Sequence, residues 1–135
     1  MQNNYYHVPP KTKVLLVEDN QEFAEELAEI LRRHQLDVKI SGSAENSLPI
    51  LLDWRPVFLI CDLHLPGLSG DRLVNMITSL DHKLLVILMS ADHRALEETA
   101  KVLDAMYLLS TFPKPLDIKG LISVIGVSKA PESPY

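Results

Sequence analysis

The stretch VFLICDLHLPGLSG, from Val57 to Gly70, decides the fold class of this 135-residue chain. A continuous apolar run ends on Asp62, and Pro66 and Gly67 follow closely. A run that is apolar at every position predicts a strand buried on both faces, as in a parallel sheet covered by helices. We therefore expect Asp62 at the carboxyl end of a central strand, the edge where open α/β sheets place their sites.

Apolar, strand-like segments alternate with helical segments along the rest of the chain. We predict strands at 13–17, 37–40, 57–61, 84–89 and 108–112, and helices at 20–34, 44–54, 71–80, 94–105 and 116–125. Such alternation predicts an α/β three-layer sandwich with right-handed crossovers between parallel strands. Five strands favour the flavodoxin-like order 2-1-3-4-5. Pro49 should kink the second helix or delay its start.

Composition limits the classes of protein to which the chain can belong. The 13 basic and 18 acidic residues give a net charge of −5, and no Lys/Arg cluster indicates a nucleic-acid surface. The single cysteine, Cys61, excludes an internal disulfide and fits a reducing compartment. No apolar run suits a signal peptide or a membrane span. We expect a cytoplasmic protein, as a monomer or a weak dimer.

The chain is expected to form one domain with two short flanking segments. Residues 1–11 contain Pro9-Pro10 and predict a flexible lead-in, and residues 127–135 predict a flexible tail or the start of a linker. The domain itself is expected over 12–126.

Polar side chains follow four of the predicted strands and should meet at one edge of the sheet: Glu18, Asp19, Asp62, Ser90 and Lys114. Three carboxylates around one point repel each other unless a cation is present, and Mg²⁺ prefers such oxygen ligands. A hydroxyl and an ammonium group suit the oxygens of a phosphoryl group. With a carboxylate as the nucleophile, this set could form an aspartyl-phosphate.

Four segments in this order resemble the receiver domain of two-component response regulators, of the chemotaxis-regulator type, over about residues 12–126. The segments are LLVEDN at 15–20, CDLHLPGLSG at 61–70, ILMSA at 87–91 and FPKP at 112–115. The resemblance implies phosphorylation of Asp62 by a sensor histidine kinase or a histidine phosphotransfer protein. It implies Mg²⁺ (or Mn²⁺) held by Glu18, Asp19, Asp62 and the backbone carbonyl of His64. It also implies a cis Lys114–Pro115 bond, and a downstream protein or fused output domain as a further partner.

Two features of the sequence concern the regulation of such a domain. His64 lies two residues after Asp62 and Asp92 two residues after Ser90, and we hypothesise that the two side chains tune the phosphoryl lifetime. Receivers commonly carry an aromatic switch residue three positions before the lysine, where this chain has Thr111. Either Phe112 or Tyr107 takes over that role, or signalling does not use an aromatic rotamer.

Two other functions compete with the signalling switch, which would catalyse only its own phosphorylation and dephosphorylation. A Mg²⁺-dependent phosphohydrolase of the haloacid-dehalogenase type would need a second carboxylate two residues after Asp62, where this chain has His64. A pseudo-receiver would bind partners without turning over phosphate. Turnover of a free phosphate ester would favour the first, and partner binding unaltered by Asp62→Asn would favour the second.

Overall fold

A computed structural model describes residues 8–103 and 107–128 of the chain. Five strands alternate with five helices in this part of the chain. The elements are β1 (Lys13–Val17), α1 (Gln21–Arg33), β2 (Asp37–Ser41), α2 (Ala44–Trp54), β3 (Phe58–Asp62), α3 (Gly70–Thr78), β4 (Leu85–Ser90), α4 (His93–Val102), β5 (Leu108–Pro113) and α5 (Ile118–Ser128). The predicted alternation of strands and helices is confirmed.

All five strands pair in parallel in the order β2-β1-β3-β4-β5, which confirms the predicted flavodoxin-like topology. Val17 on β1 is in register with Cys61 on β3, and Asp62 is in register with Met89 on β4. Ser90 is in register with Pro113 on β5. The carboxyl ends of β1, β3, β4 and β5 therefore lie side by side at one edge of the sheet.

Alternate residues of the strands β1, β3 and β4 enter two separate apolar clusters, one on each face of the sheet. Val14, Leu16, Phe58 and Ile60 pack in the cluster under α1 and α5, which we call the α1/α5 cluster. Their strand neighbours, such as Leu15 and Leu59, pack in the cluster under α2, α3 and α4, which we call the α2–α4 cluster. Every residue of β3 is buried, because helices cover both of its faces.

Side-chain oxygens cap the helices that begin near the carboxyl edge. Asn20 accepts a hydrogen bond from the Phe23 N–H at the start of α1, and Ser43 accepts one from the Asn46 N–H at the start of α2. The helix α2 begins at Ala44 and continues through Pro49, so the predicted late start is wrong. Pro49 lies on the exposed face, where water can bond to the carbonyl that its missing N–H leaves without a helical partner.

Some predicted boundaries differ from the structure by one to three residues. The helix predicted at 94–105 is α4, which ends at Val102, because Leu103 has an extended backbone. The strands β3 and β4 each end one residue later than predicted, so Asp62 and Ser90 are the last residues of their strands. The helix α5 begins at Ile118 rather than at 116. Most of the predicted lead-in and tail, residues 1–7 and 129–135, lies outside the described residues. Within the described ranges, none of the helices is long and apolar enough to cross a bilayer.

The burial of the central strand predicts a large difference between two leucine truncations. Leu59 is fully buried on β3 and Leu52 on α2 is 50% exposed. We expect Leu59→Ala to lower the free energy of unfolding by about 2–5 kcal/mol, because it removes buried contacts and leaves a cavity. Leu52→Ala should change it by less than about 0.5 kcal/mol. Urea denaturation of both variants measures the difference, and equal losses would contradict this account of the core.

Candidate functional site

Three carboxylates converge at the carboxyl edge of the sheet. Glu18 follows β1 directly and Asp62 ends the neighbouring strand β3, so the register of the two strands brings them together. Glu18 is 2% exposed and Asp62 is 3% exposed, whereas Asp19 faces solvent. One oxygen from each of the three carboxylates lies within 4.8 Å of the others. An exposed carboxylate beside two buried ones, all offering oxygen, is a donor set that fits a hard divalent cation.

The ammonium group of Lys114 joins the two buried carboxylates. Its Nζ donates to Glu18 Oε1 at 2.8 Å and to Asp62 Oδ2 at 3.0 Å. Lys114 follows β5, and its backbone N–H donates to the carbonyl of Ser90 at the end of β4. The peptide bond from Lys114 to Pro115 is cis, as the resemblance implied. Residues at the ends of four strands thus meet in one site.

The backbone fixes the second oxygen of each buried carboxylate. Glu18 Oε2 accepts a hydrogen bond from the Asn20 N–H at 3.0 Å, and Asp62 Oδ1 accepts one from the His64 N–H at 2.9 Å. After His64 the chain turns through Pro66 and Gly67, whose φ of 76° suits glycine. The His64 side chain, which precedes this turn, is exposed. Both carboxylates are therefore held in place before any ligand binds.

Burial and charge change the pKa values of three groups. Burial raises the pKa of Glu18, partly offset by the hydrogen bonds from Lys114 and Asn20. Burial acts to lower the pKa of Lys114, but its hydrogen bonds to Glu18 and Asp62 outweigh this and raise it. Burial, with the nearby charges of Asp62 and Glu18, raises the pKa of the Cys61 thiol to about 12. Cys61 is thus an inert apolar residue in the α2–α4 cluster.

Ser90 lies at the same edge and is fully buried. Its Oγ accepts a hydrogen bond from the Asp92 N–H at 2.9 Å. The Asp92 carboxylate accepts hydrogen bonds from the N–H groups of Arg94 and Ala95 and so caps α4. The hydroxyl of Ser90 is therefore coupled through one peptide to the start of α4.

Comparison with known proteins assigns the chain to a family. Residues 14–126 match the family model described as the response regulator receiver domain. The chain belongs to this family. A response regulator receiver protein from Anaeromyxobacter sp. (strain Fw109-5) is 29% identical over 112 residues, which cover 83% of the chain and 46% of that relative. The receiver domain described here thus spans about half the length of that curated relative.

Solved receiver structures have the same fold. A CheY-like response regulator receiver domain from Methylobacillus flagellatus superposes with a TM-score of 0.69 at 25% identity, over 82% of this chain and 92% of that one. A response regulator protein from Burkholderia pseudomallei, with a phosphorylated aspartic acid, calcium ion and citrate, gives a TM-score of 0.71. Its identity is 16%, over 87% of this chain and 68% of that one. At this identity the second likeness establishes the fold alone.

The aromatic residues near β5 occupy different surroundings from one another. Thr111, at the usual aromatic position of receivers, is half-buried on the edge strand. Phe112 is buried in the α1/α5 cluster, where its Cε1 would lie 3.3 Å from a Cβ added at Gly120. Tyr107 is half-buried against the α2–α4 cluster. Close packing against α5 favours a fixed ring for Phe112, and a switch role for Phe112 or Tyr107 stays a prediction.

One aromatic side chain, that of Phe23, contacts the site although the sequence motifs do not include it. The ring centroid of Phe23, in the first turn of α1, lies 4.6 Å from Lys114 Nζ. The sequence does place Phe23 near the site, since this residue lies in the first turn of the helix that follows Glu18 and Asp19. Its partner Lys114 is remote in sequence, however, so the contact itself required the tertiary structure.

The raised pKa of Glu18 predicts a pH-dependent difference in stability in metal-free buffer. The folded receiver domain binds the Glu18 proton more tightly than the unfolded chain does. In the unfolded chain the pKa of Glu18 has its ordinary value of 4.5. The contribution of Glu18 to the free energy of unfolding therefore falls as the pH rises above about 4.5 through the folded pKa. Glu18→Gln mimics the protonated form and removes this loss. The free energy of unfolding of the variant should increase relative to the natural protein over this range, measured by urea denaturation with EDTA. A difference in the free energy of unfolding that does not change with pH would contradict the raised pKa of Glu18.

Proposed function

We propose that this receiver domain is a phosphorylation-dependent signalling switch in which Asp62 accepts the phosphoryl group. The observation that carries the proposal is the position of Lys114 Nζ, 3.0 Å from Asp62 Oδ2 and 2.8 Å from Glu18 Oε1. An ammonium group at that place can stabilise charge on a phosphoryl oxygen while Asp62 Oδ acts as the nucleophile. The phosphorylated aspartic acid of the Burkholderia pseudomallei structure, which has the same fold, supports this assignment.

The carboxylates Glu18, Asp19 and Asp62 and the backbone carbonyl of His64 would hold Mg²⁺ or Mn²⁺. When bound, such an ion offsets the negative charge of the carboxylates and of an incoming phosphoryl group. The spread of 4.8 Å among the three carboxylate oxygens supports this ligand set. Asn20 and His64 keep one oxygen of each buried carboxylate oriented by their N–H groups.

The phosphoryl donor is a phosphohistidine of a sensor histidine kinase or a phosphotransfer protein. Asp62 Oδ attacks the phosphorus, a P–O bond forms, the P–N bond breaks, and the released imidazole takes up a proton. Ser90 Oγ and Lys114 Nζ donate hydrogen bonds to the phosphoryl oxygens. Because the Ser90 hydroxyl now accepts from the Asp92 N–H, drawing it toward the phosphoryl group would shift the start of α4.

The family supports a wider proposal about partners and location. The phosphorylated state alters binding to a downstream protein or to a fused output domain, and the chain acts only on its own phosphoryl group. We place the switch in residues 12–126, in the cytoplasm and without direct contact to nucleic acid. We propose that the domain acts as a monomer or a weak dimer.

Phosphorylation by a small donor tests the assignment of Asp62. Incubation with acetyl phosphate and Mg²⁺ should add one phosphoryl group, detected by mass spectrometry of the intact protein. Asp62→Asn should abolish the gain because the amide lacks the nucleophilic oxygen, and omission of Mg²⁺ should abolish it too. Asp53→Asn, at an exposed carboxylate on α2, is the matched control and should be phosphorylated normally. A gain that survives Asp62→Asn would overturn the proposal, and release of phosphate from free esters would favour a phosphohydrolase.

The lifetime of the phosphoryl group tests the roles of His64 and Asp92. His64→Ala should shorten the lifetime, since it removes a side chain that restricts access of water to Asp62. Asp92→Asn should change the lifetime without loss of stability, because Asn caps a helix about as well as Asp. Decay of the phosphorylated protein is followed after removal of the donor. His34→Asn, at the opposite edge of the sheet, is the control and should decay at the natural rate. Decay at the natural rate in His64→Ala and in Asp92→Asn would contradict the tuning role.

A further inference from the structure

The ammonium group of Lys114 has partners on three sides. Two are the carboxylates of Glu18 and Asp62, and the third is the ring of Phe23, with its centroid 4.6 Å from Nζ. The side chain of Lys114 is 24% exposed, so the ring contributes to shielding the charge from water. A cation at this distance from an aromatic face is attracted by the quadrupole of the ring.

The helix cap that orients the Glu18 carboxylate also fixes the backbone of Phe23. The Phe23 N–H donates to Asn20 Oδ1 at 3.1 Å, and the Asn20 N–H donates to Glu18 Oε2 at 3.0 Å. The ring also packs against the α1/α5 cluster and is half-buried. One helix cap therefore links the aromatic ring, the Glu18 carboxylate and, through that carboxylate, the Lys114 ammonium group.

We propose that Phe23 is a positioning residue that keeps the Lys114 ammonium group at the phosphoryl site. The inference rests on the proposed function of Asp62. A lysine ammonium group has three N–H donors, and two of them now go to Glu18 and Asp62. Both carboxylates change partners when a cation and a phosphoryl group occupy the site. Phe23 is the neutral partner, so its attraction for the ammonium group persists without competing for either ligand.

A cation–π role of Phe23 can be distinguished from simple packing in the core. A packing role requires only an apolar side chain of suitable volume at position 23, which leucine supplies. A cation–π role requires an aromatic face, which tyrosine and tryptophan also supply. Phe23→Leu therefore differs from Phe23→Tyr and Phe23→Trp only if the face of the ring acts on Lys114.

The first experiment measures the contact in metal-free protein by NMR. Protons above an aromatic face are shifted upfield, so the ε-methylene protons of Lys114 should resonate upfield of those of lysines that lie over no ring. Lys13 and Lys39 are left out of this comparison, because both lie over the ring of Trp54. The shift should persist in Phe23→Tyr and disappear in Phe23→Leu. An unchanged Lys114 resonance in Phe23→Leu would overturn the proposal, whatever the activity of the protein.

The second experiment measures the rate of phosphorylation by acetyl phosphate with Mg²⁺. We expect Phe23→Leu to lower the rate by about fivefold, the effect of losing one partly shielded cation–π contact. Phe23→Tyr and Phe23→Trp should stay within about twofold of the natural protein. Ile30→Ala, at a half-buried position on the same helix, controls for loss of packing and should keep the natural rate.

The outcomes separate the two proposals. If the natural protein accepts no phosphoryl group, the function of Asp62 is wrong and the role of Phe23 falls with it. If the natural protein and Phe23→Leu react at the same rate, or if the aromatic variants are as slow as leucine, the positioning role alone is overturned. Urea denaturation of each variant confirms that a slow rate does not come from unfolded protein.

Discussion

Two buried carboxylates lie at the ends of adjacent strands, and the ammonium group of Lys114 offsets their charge. Lys114 is 52 residues from Asp62 and 96 from Glu18, so the contact exists only when β1, β3, β4 and β5 are all in place. Burial of unpaired carboxylates would raise their pKa values and favour the neutral forms. The charged state of the site therefore depends on the complete sheet, and the proposed metal-binding and phosphoryl chemistry depends on that charged state.

The sheet supports this arrangement because both of its faces are covered. Apolar residues fill both sides of β1 and β3, which leaves the strand ends as the place where charged groups can reach water. The backbone N–H groups of Asn20 and His64 come from the segments that leave β1 and β3, and they orient the buried carboxylates. The rigid core and the precise site are thus consequences of the same parallel packing.

The packing at the edge strand β5 depends on one buried ring. Thr111 is half-buried on this strand, whereas the next residue, Phe112, is buried in the α1/α5 cluster. Gly120 allows that packing, since an added Cβ would lie 3.3 Å from the Phe112 ring and 2.5 Å from Asp117 Oδ2. The Asp117 carboxylate accepts a hydrogen bond from the Gly120 N–H. Neither the glycine nor the enclosed ring could be assigned this role from the sequence.

The fold class, the order of the strands and the residues that gather at their carboxyl ends could all be predicted from the amino-acid sequence. Continuous apolar runs such as 57–61 require a strand covered on both faces, and parallel strands must end on the same side. The sequence could not determine which partners Lys114 binds or that Phe23 lies against it, because distances between remote segments depend on strand register and helix packing. It also misjudged Pro49, since only the structure shows that this residue lies on the exposed face of α2.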